Sequence, residues 1–123
     1  MNIDHSNKRI LARGCDPVAS QMAAQALPPL MGNPEYVPTS DDADFIEKLN
    51  SEKWSVVFFA PGACRFNAAN HAIPGGNRQT HGWSLEQYKA LVRQTQGDDI
   101  QIVETLSEQE TVAHLKAALA ATV

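Results

Sequence analysis

The chain has 123 residues, which fits one domain with room to bury a hydrophobic core without disulfide or metal staples. Its 43% hydrophobic and 20% charged residues exclude wholesale disorder, and a net charge of −4 with a pI near 5.4 is the wrong sign for a nucleic-acid binder. No apolar run approaches the ~20 residues that span a bilayer.

The N-terminal segment Met1-Asn2-Ile3-Asp4-His5-Ser6-Asn7-Lys8 is polar and lacks the apolar stretch of an export signal. It reads as a flexible arm, residues 1–8, on a chain placed in the cytoplasm. In that compartment Cys15 and Cys64 are expected to be free thiols.

Arg9-Ile10-Leu11-Ala12-Arg13 reads as a short strand closed by Gly14. Asp16-Pro17 then supplies an N-cap followed by proline at the first helical position. The spacing of Val18, Met22, Ala26 and Leu30 predicts the inward stripe of this helix, with Ala19, Ala23 and Leu27 beside it. Pro28-Pro29 should stop or distort its last turn. Glu35-Tyr36-Val37 is a second strand, and the following Pro38 suits a sheet edge.

Asp41, Asp42 and Asp44 fill the first turn of the next helix, where they meet the positive end of its dipole. Phe45, Ile46 and Leu49 are its buried face. Trp54-Ser55-Val56-Val57-Phe58-Phe59-Ala60 is apolar nearly throughout rather than alternating, the pattern of a central strand covered on both faces.

Residues 61–83 show no periodicity and are rich in Gly, Pro and Asn, so they read as one long loop. Ser84-Leu85-Glu86-Gln87 is a capping box, and Trp83 is placed to staple against Tyr88. The helix that follows buries Leu85, Tyr88, Leu91 and Val92 and ends near Gly97. Asp99-Ile100-Gln101-Ile102-Val103 is the last strand. Ser107-Glu108-Gln109-Glu110 opens a final helix with Val112, Leu115 and Leu119 inward and His114 exposed.

Strands and helices thus alternate four times, which implies a single three-layer α/β/α domain over residues 1–123. Its short, mostly parallel sheet has about four strands joined by right-handed crossovers. The expected strand order is 2-1-3-4, as in flavodoxin-like sheets; a thioredoxin-like sheet is the alternative. In open parallel sheets ligands bind beyond the carboxyl ends of the strands where the order reverses. For this order that place lies between the first and third strands, so the two cysteines, one in each exit loop, are expected to face one crevice.

A loop as long as 61–83 is unusual in a compact domain and is commonly functional. No Asp or Glu occurs between Trp54 and Leu85, although the chain has 14 acidic residues. Arg65 and Arg78 therefore lie in a segment with no carboxylate of its own, beside Asn67, Asn70, Gly75, Gly76 and Asn77. Guanidinium forks and exposed amides suit a phosphate, sulfate or carboxylate, so these residues, with Cys15, are the candidate ligand-binding set.

Cys64, His71 and His81 are the candidate catalytic groups. Arg65 beside Cys64 would lower its thiol pKa, and a histidine titrates where acid–base work is done. A small buried thiol and two solvated loop histidines are the alternative reading of the same residues.

A zinc set of Cys15, Cys64, His71 and His81 lacks any tight ligand pair such as Cys-x₂-Cys, so no metal is assigned. Gly75-Gly76-Asn77 follows no strand and matches no phosphate-loop or dinucleotide fingerprint, so no cofactor is assigned either. Two further functions stay open. Phe66 and Trp83 would anchor a protein partner or a second copy of the chain, and Cys15 with Cys64 would form a redox-sensing pair if their Cα atoms lay within about 7 Å.

The run from Ser40-Asp41-Asp42-Ala43-Asp44-Phe45 through Val56-Val57-Phe58-Phe59-Ala60-Pro61-Gly62-Ala63-Cys64 resembles the thioredoxin helix, strand and active-site segment. Ala63 stands where that family carries its nucleophilic first cysteine, so dithiol exchange by a Cys-x-x-Cys motif is excluded. The strand Arg9–Arg13 followed by Cys15 at a helix start is similar to the cysteine-phosphorylated B components of sugar phosphotransferase systems. Here Asp16-Pro17 replaces the small-residue loop whose amides would cradle phosphate.

Overall fold

A computed structural model describes residues 5–14, 17–39, 42–59, 85–104 and 108–122. Four strands form one sheet: β1 (Arg9–Arg13), β2 (Glu35–Thr39), β3 (Val56–Phe59) and β4 (Gln101–Glu104). Their order is β2-β1-β3-β4, and all three pairings are parallel. This is the flavodoxin-like order, and the thioredoxin-like alternative falls away with it. The helices are α1 (Pro17–Ala26), α2 (Asp42–Ser51), α3 (Leu85–Gln96) and α4 (Glu108–Ala121), with a 3₁₀ turn at Pro28–Leu30.

The two inner strands are buried on both faces. From β1, Ile10 and Ala12 join Val56 and Phe58 of β3, Val103, and Leu115, Ala118 and Leu119 of α4 on one side. Leu11, Val57 and Phe59 point the other way, to Phe45 and Leu49 of α2 and Tyr88 and Val92 of α3. The near-continuous apolar run of β3 follows directly from this two-sided burial. Its first expected residues fall outside the strand. Trp54 is buried just before it, with its indole N–H donating to the Lys48 carbonyl at 3.0 Å and the Arg9 guanidinium 4.2 Å from its ring centroid.

β2 is an edge strand, and it tolerates Pro38 opposite Ala12 for that reason. The expected ends of α1 and α3 also have visible causes. Pro28 opens the 3₁₀ turn after Ala26, and Gly97, at φ +98°, takes the left-handed conformation that closes α3. At the amino end of the chain, His5 is buried and its backbone N–H donates to the Gly32 carbonyl at 2.8 Å. Leu115 and Leu119 are buried and His114 is exposed, as the periodicity of α4 predicts.

The stripe expected to face inward from α1 does not. Val18 and Met22 are 68% and 66% exposed, Leu30 is 57% exposed, and Ala26 is exposed as well. Ala23 and Leu27 are half-buried instead, and Leu27 packs on the core. The cause is what α1 covers: it packs chiefly on the edge strand β2, so the helix has little sheet beneath it to occupy a wide apolar face. Spacing at i, i+4 identifies a stripe but not which of two adjacent apolar stripes turns inward. No described helix is long and apolar enough to cross a membrane.

Candidate functional site

The carboxyl edge of the sheet is where the strand order leads one to expect a site, and the structure shows how that edge is held. Arg13 and Phe59 are register partners at the ends of β1 and β3. The segments that follow these strands therefore depart from adjacent points. The β1 exit is tied sideways to β2: the Gly14 N–H donates to the Thr39 carbonyl at 2.9 Å, and the Thr39 hydroxyl donates to the Ala12 carbonyl at 2.5 Å.

Beneath the edge lies a buried polar network. Arg13 shares the face of Leu11, so its side chain runs into the layer of α2 and α3. There its Nε donates to Asp42 Oδ1 at 2.8 Å, and Nη1 donates to the Gly14 carbonyl. Asp42 is the first residue of α2, where the helix dipole favours a carboxylate. The Tyr88 hydroxyl of α3 donates to its other oxygen, Oδ2, at 2.9 Å.

Arg13 is 1% exposed and Asp42 is fully buried, and each provides charge compensation for the other. The three residues join β1, α2 and α3 at one point. Phe59 is held next to them, its ring 5.8 Å from Phe45 and 6.2 Å from Tyr88, centroid to centroid.

This arrangement gives the edge a defined electrostatic character. Glu104, the last residue of β4 and the register partner of Phe59, accepts from Lys89 Nζ at 2.9 Å. Burial alone would lower the Lys89 pKa, but Glu104 and Glu86 outweigh it and raise the ammonium above its ordinary range. The carboxylates of Asp42 and Glu104 are thus each matched by a cation.

Arg13, 1% exposed, joins the end of β1 to the start of α2. It positions the strand end. Among the described residues no group of three His, Cys, Asp or Glu side chains could hold a metal.

The sequence-based site residues, Cys15, Cys64, Arg65, Asn67, Asn70, His71, Gly75, Gly76, Asn77, Arg78 and His81, lie outside the described residues. So do Phe66, Trp83, the capping serines Ser84 and Ser107, and the cap Asp16. What the sequence reading passed over is the Arg13–Asp42–Tyr88 network. Its signal was present: an arginine in phase with Leu11 on an inner strand must be buried, and a buried arginine needs a carboxylate.

Comparison with known proteins finds no family model, no curated protein and no solved structure that matches the chain. The flavodoxin-like strand order is an arrangement of strands and by itself carries no activity.

Proposed function

We propose that this chain binds a small anion of phosphate, sulfate or carboxylate type in the crevice between the carboxyl ends of β1 and β3, with loop 61–83 supplying the contacts. The observation that carries the reading is the reversal of strand order between β1 and β3, at whose paired ends Arg13 and Phe59 lead into segments 14–16 and 60–84. Two further facts support it. The stretch from Ser55 to Ser84 contains Arg65 and Arg78 and no acidic residue, and the carboxylates of Asp42, at the start of α2, and Glu104, at the end of β4, are already matched by Arg13 and Lys89.

In this reading Arg65 and Arg78 hold the anion through charge-assisted hydrogen bonds. Asn67, Asn70, Asn77 and the backbone at Gly75 and Gly76 complete its shell, and Cys15 borders it from the β1 side. Cys64, His71 and His81 are the groups to which any turnover of the ligand would be traced.

The test is titration calorimetry with phosphate, sulfate and a panel of small carboxylates, run on the native chain and on Arg65→Ala/Arg78→Ala. Losing charged hydrogen bonds worth about 1.5–3 kcal/mol should weaken binding by roughly 10- to 100-fold. Binding left unchanged in the double variant, or no binding of any of these anions by the native chain, overturns the proposal.

A further inference from the structure

The outward stripe of α1 is the second feature of this molecule that its core does not explain. Val18 and Met22 stand one helical turn apart and are both about two-thirds exposed, and Leu30, in the 3₁₀ turn that follows, is 57% exposed. Ala26 and Pro29 lie between them and are exposed too. Scattered exposed hydrophobics are ordinary, but Val18 and Met22 adjoining on one helix face, with Ala26 a turn further on, form a surface suited to contact.

Charge narrows the choice of occupant. Residues 17–34 contain no Asp, Glu, Lys or Arg, in a chain whose net charge is −4. Interfacial helices that lie on lipid carry Lys or Arg along their polar face, and α1 has none. A charged protein partner would find no counter-charge along this stretch. A second copy needs none, and two copies of a chain of net charge −4 can approach along this uncharged stretch without bringing like charges together.

Shape points the same way. A two-fold axis through Met22 pairs two α1 helices antiparallel, with Met22 facing its own copy and Val18 facing Ala26 about 6 Å to either side. The small alanine receives the larger valine, and flexible methionines at the axis fill whatever gap remains.

We propose that the exposed α1 stripe is a homodimer interface, formed by antiparallel α1–α1 packing across a two-fold axis at Met22. The apolar patch is on the order of 300 Å² per copy. With the flanking Gln21 and Gln25 the pair covers roughly 1,000 Å², the lower bound for a specific interface. The dimer is therefore weak, with a dissociation constant of roughly tens of micromolar, and it forms whether or not an anion is bound.

Sedimentation equilibrium of the whole chain from roughly 5 to 500 μM tests this, because the dimer fraction must rise with concentration. Met22→Glu and Met22→Lys should each sediment as monomers throughout, since each places two like charges at the axis. An equimolar mixture of the two should regain dimers, because only a residue facing its own copy converts two repelling variants into an attracting pair.

Circular dichroism confirms that the variants fold, and Met22→Ser, which weakens the contact without adding charge, replaces any variant that does not. Overturning results are a native chain that stays at the mass of one copy across the range, a dimer indifferent to substitution at Met22, or a mixture that remains monomeric.

Discussion

The two sides of the sheet break the usual rule of burial in opposite directions. On the α2/α3 side, Arg13 and Asp42 carry full charges into the interior and Tyr88 adds a hydroxyl. On the α1 side, Val18, Met22 and Leu30 are left in solvent. An ordinary domain would place these residues the other way round. The polar network sits under the carboxyl edge, where the ends of β1 and β3 lie in register. The apolar stripe sits over an edge strand, where there is too little sheet to cover it. Each exception occurs where the fold runs short of something: backbone connection at the edge, apolar surface beneath the helix.

The sharpest way to break this comparison is to unbalance the buried charge. Asp42→Ala removes the carboxylate that pairs with Arg13 and accepts from Tyr88, and should cost about 3–5 kcal/mol in urea-induced unfolding. Replacing the whole network by apolar residues of similar size, Arg13→Met/Asp42→Leu/Tyr88→Phe, should cost far less than the single change, under about 2 kcal/mol. If the single and the triple variant lose equal stability, the network is acting by shape and not by charge.

A smaller effect separates the hydroxyl from the ion pair. Tyr88→Phe keeps the ring against Phe59 and removes the hydrogen bond to Asp42 Oδ2. The expected loss is about 1.5–3 kcal/mol, the range for a hydrogen bond to a charged group. Denaturant midpoints measured for the native chain and the variant check it, and a loss below about 0.5 kcal/mol would show that Asp42 is satisfied without Tyr88.

The α1 side holds a contrasting hydroxyl. Burial raises the pKa of Tyr36 well above its ordinary value of 10. The unfolded chain then ionises first, so this contribution to stability is complete below about pH 10 and is lost as pH rises toward the folded value. Lys48, raised by its hydrogen bond to Asp44, loses stability in a similar window, so the useful quantity is a difference. Tyr36→Phe should fall less steeply than the native chain between about pH 10 and pH 11.5. Parallel curves would show that Tyr36 ionises as freely when folded as when unfolded.

Much of the fold was readable from sequence because it rests on local signals. β1 begins and ends where the run Arg9-Ile10-Leu11-Ala12-Arg13 does. Pro17 starts α1, Pro28 follows its end, and Gly97 closes α3. The apolar run of β3 announced a strand buried on both faces, and with alternating elements it predicted the parallel 2-1-3-4 sheet.

The facing of α1 was not readable, since Val18/Met22/Ala26 and Ala23/Leu27 are neighbouring stripes and only the width of sheet beneath decides between them. The Arg13–Asp42–Tyr88 network joins residues 29 and 46 positions apart. Each of the three has a sufficient local reading as strand end, helix-dipole acid or core aromatic, and only the assembled sheet brings them together. For the proposed site, sequence offered an expected place, the ends of β1 and β3, and the composition of the segment leaving β3. The residues expected to touch ligand have no element periodicity to fix them and lie outside the described residues.

The smallest effect expected is the strongest check on the α1 side. At a few micromolar, where a weak dimer is dissociated, Val18→Ser and Met22→Ser should each change unfolding free energy by no more than about 0.5 kcal/mol, as exposed substitutions do. Leu27→Ala, from the half-buried stripe that packs on the core, should cost more, about 1–2 kcal/mol, below the full range for a completely buried leucine. Burial makes the cost of truncation depend on the neighbours that close around a side chain, whereas a side chain in water has none to lose. A loss of 2 kcal/mol or more at Met22 under these conditions would place the stripe against the sheet, remove the apolar patch from the surface, and with it the asymmetry between the two faces and the dimer built on it.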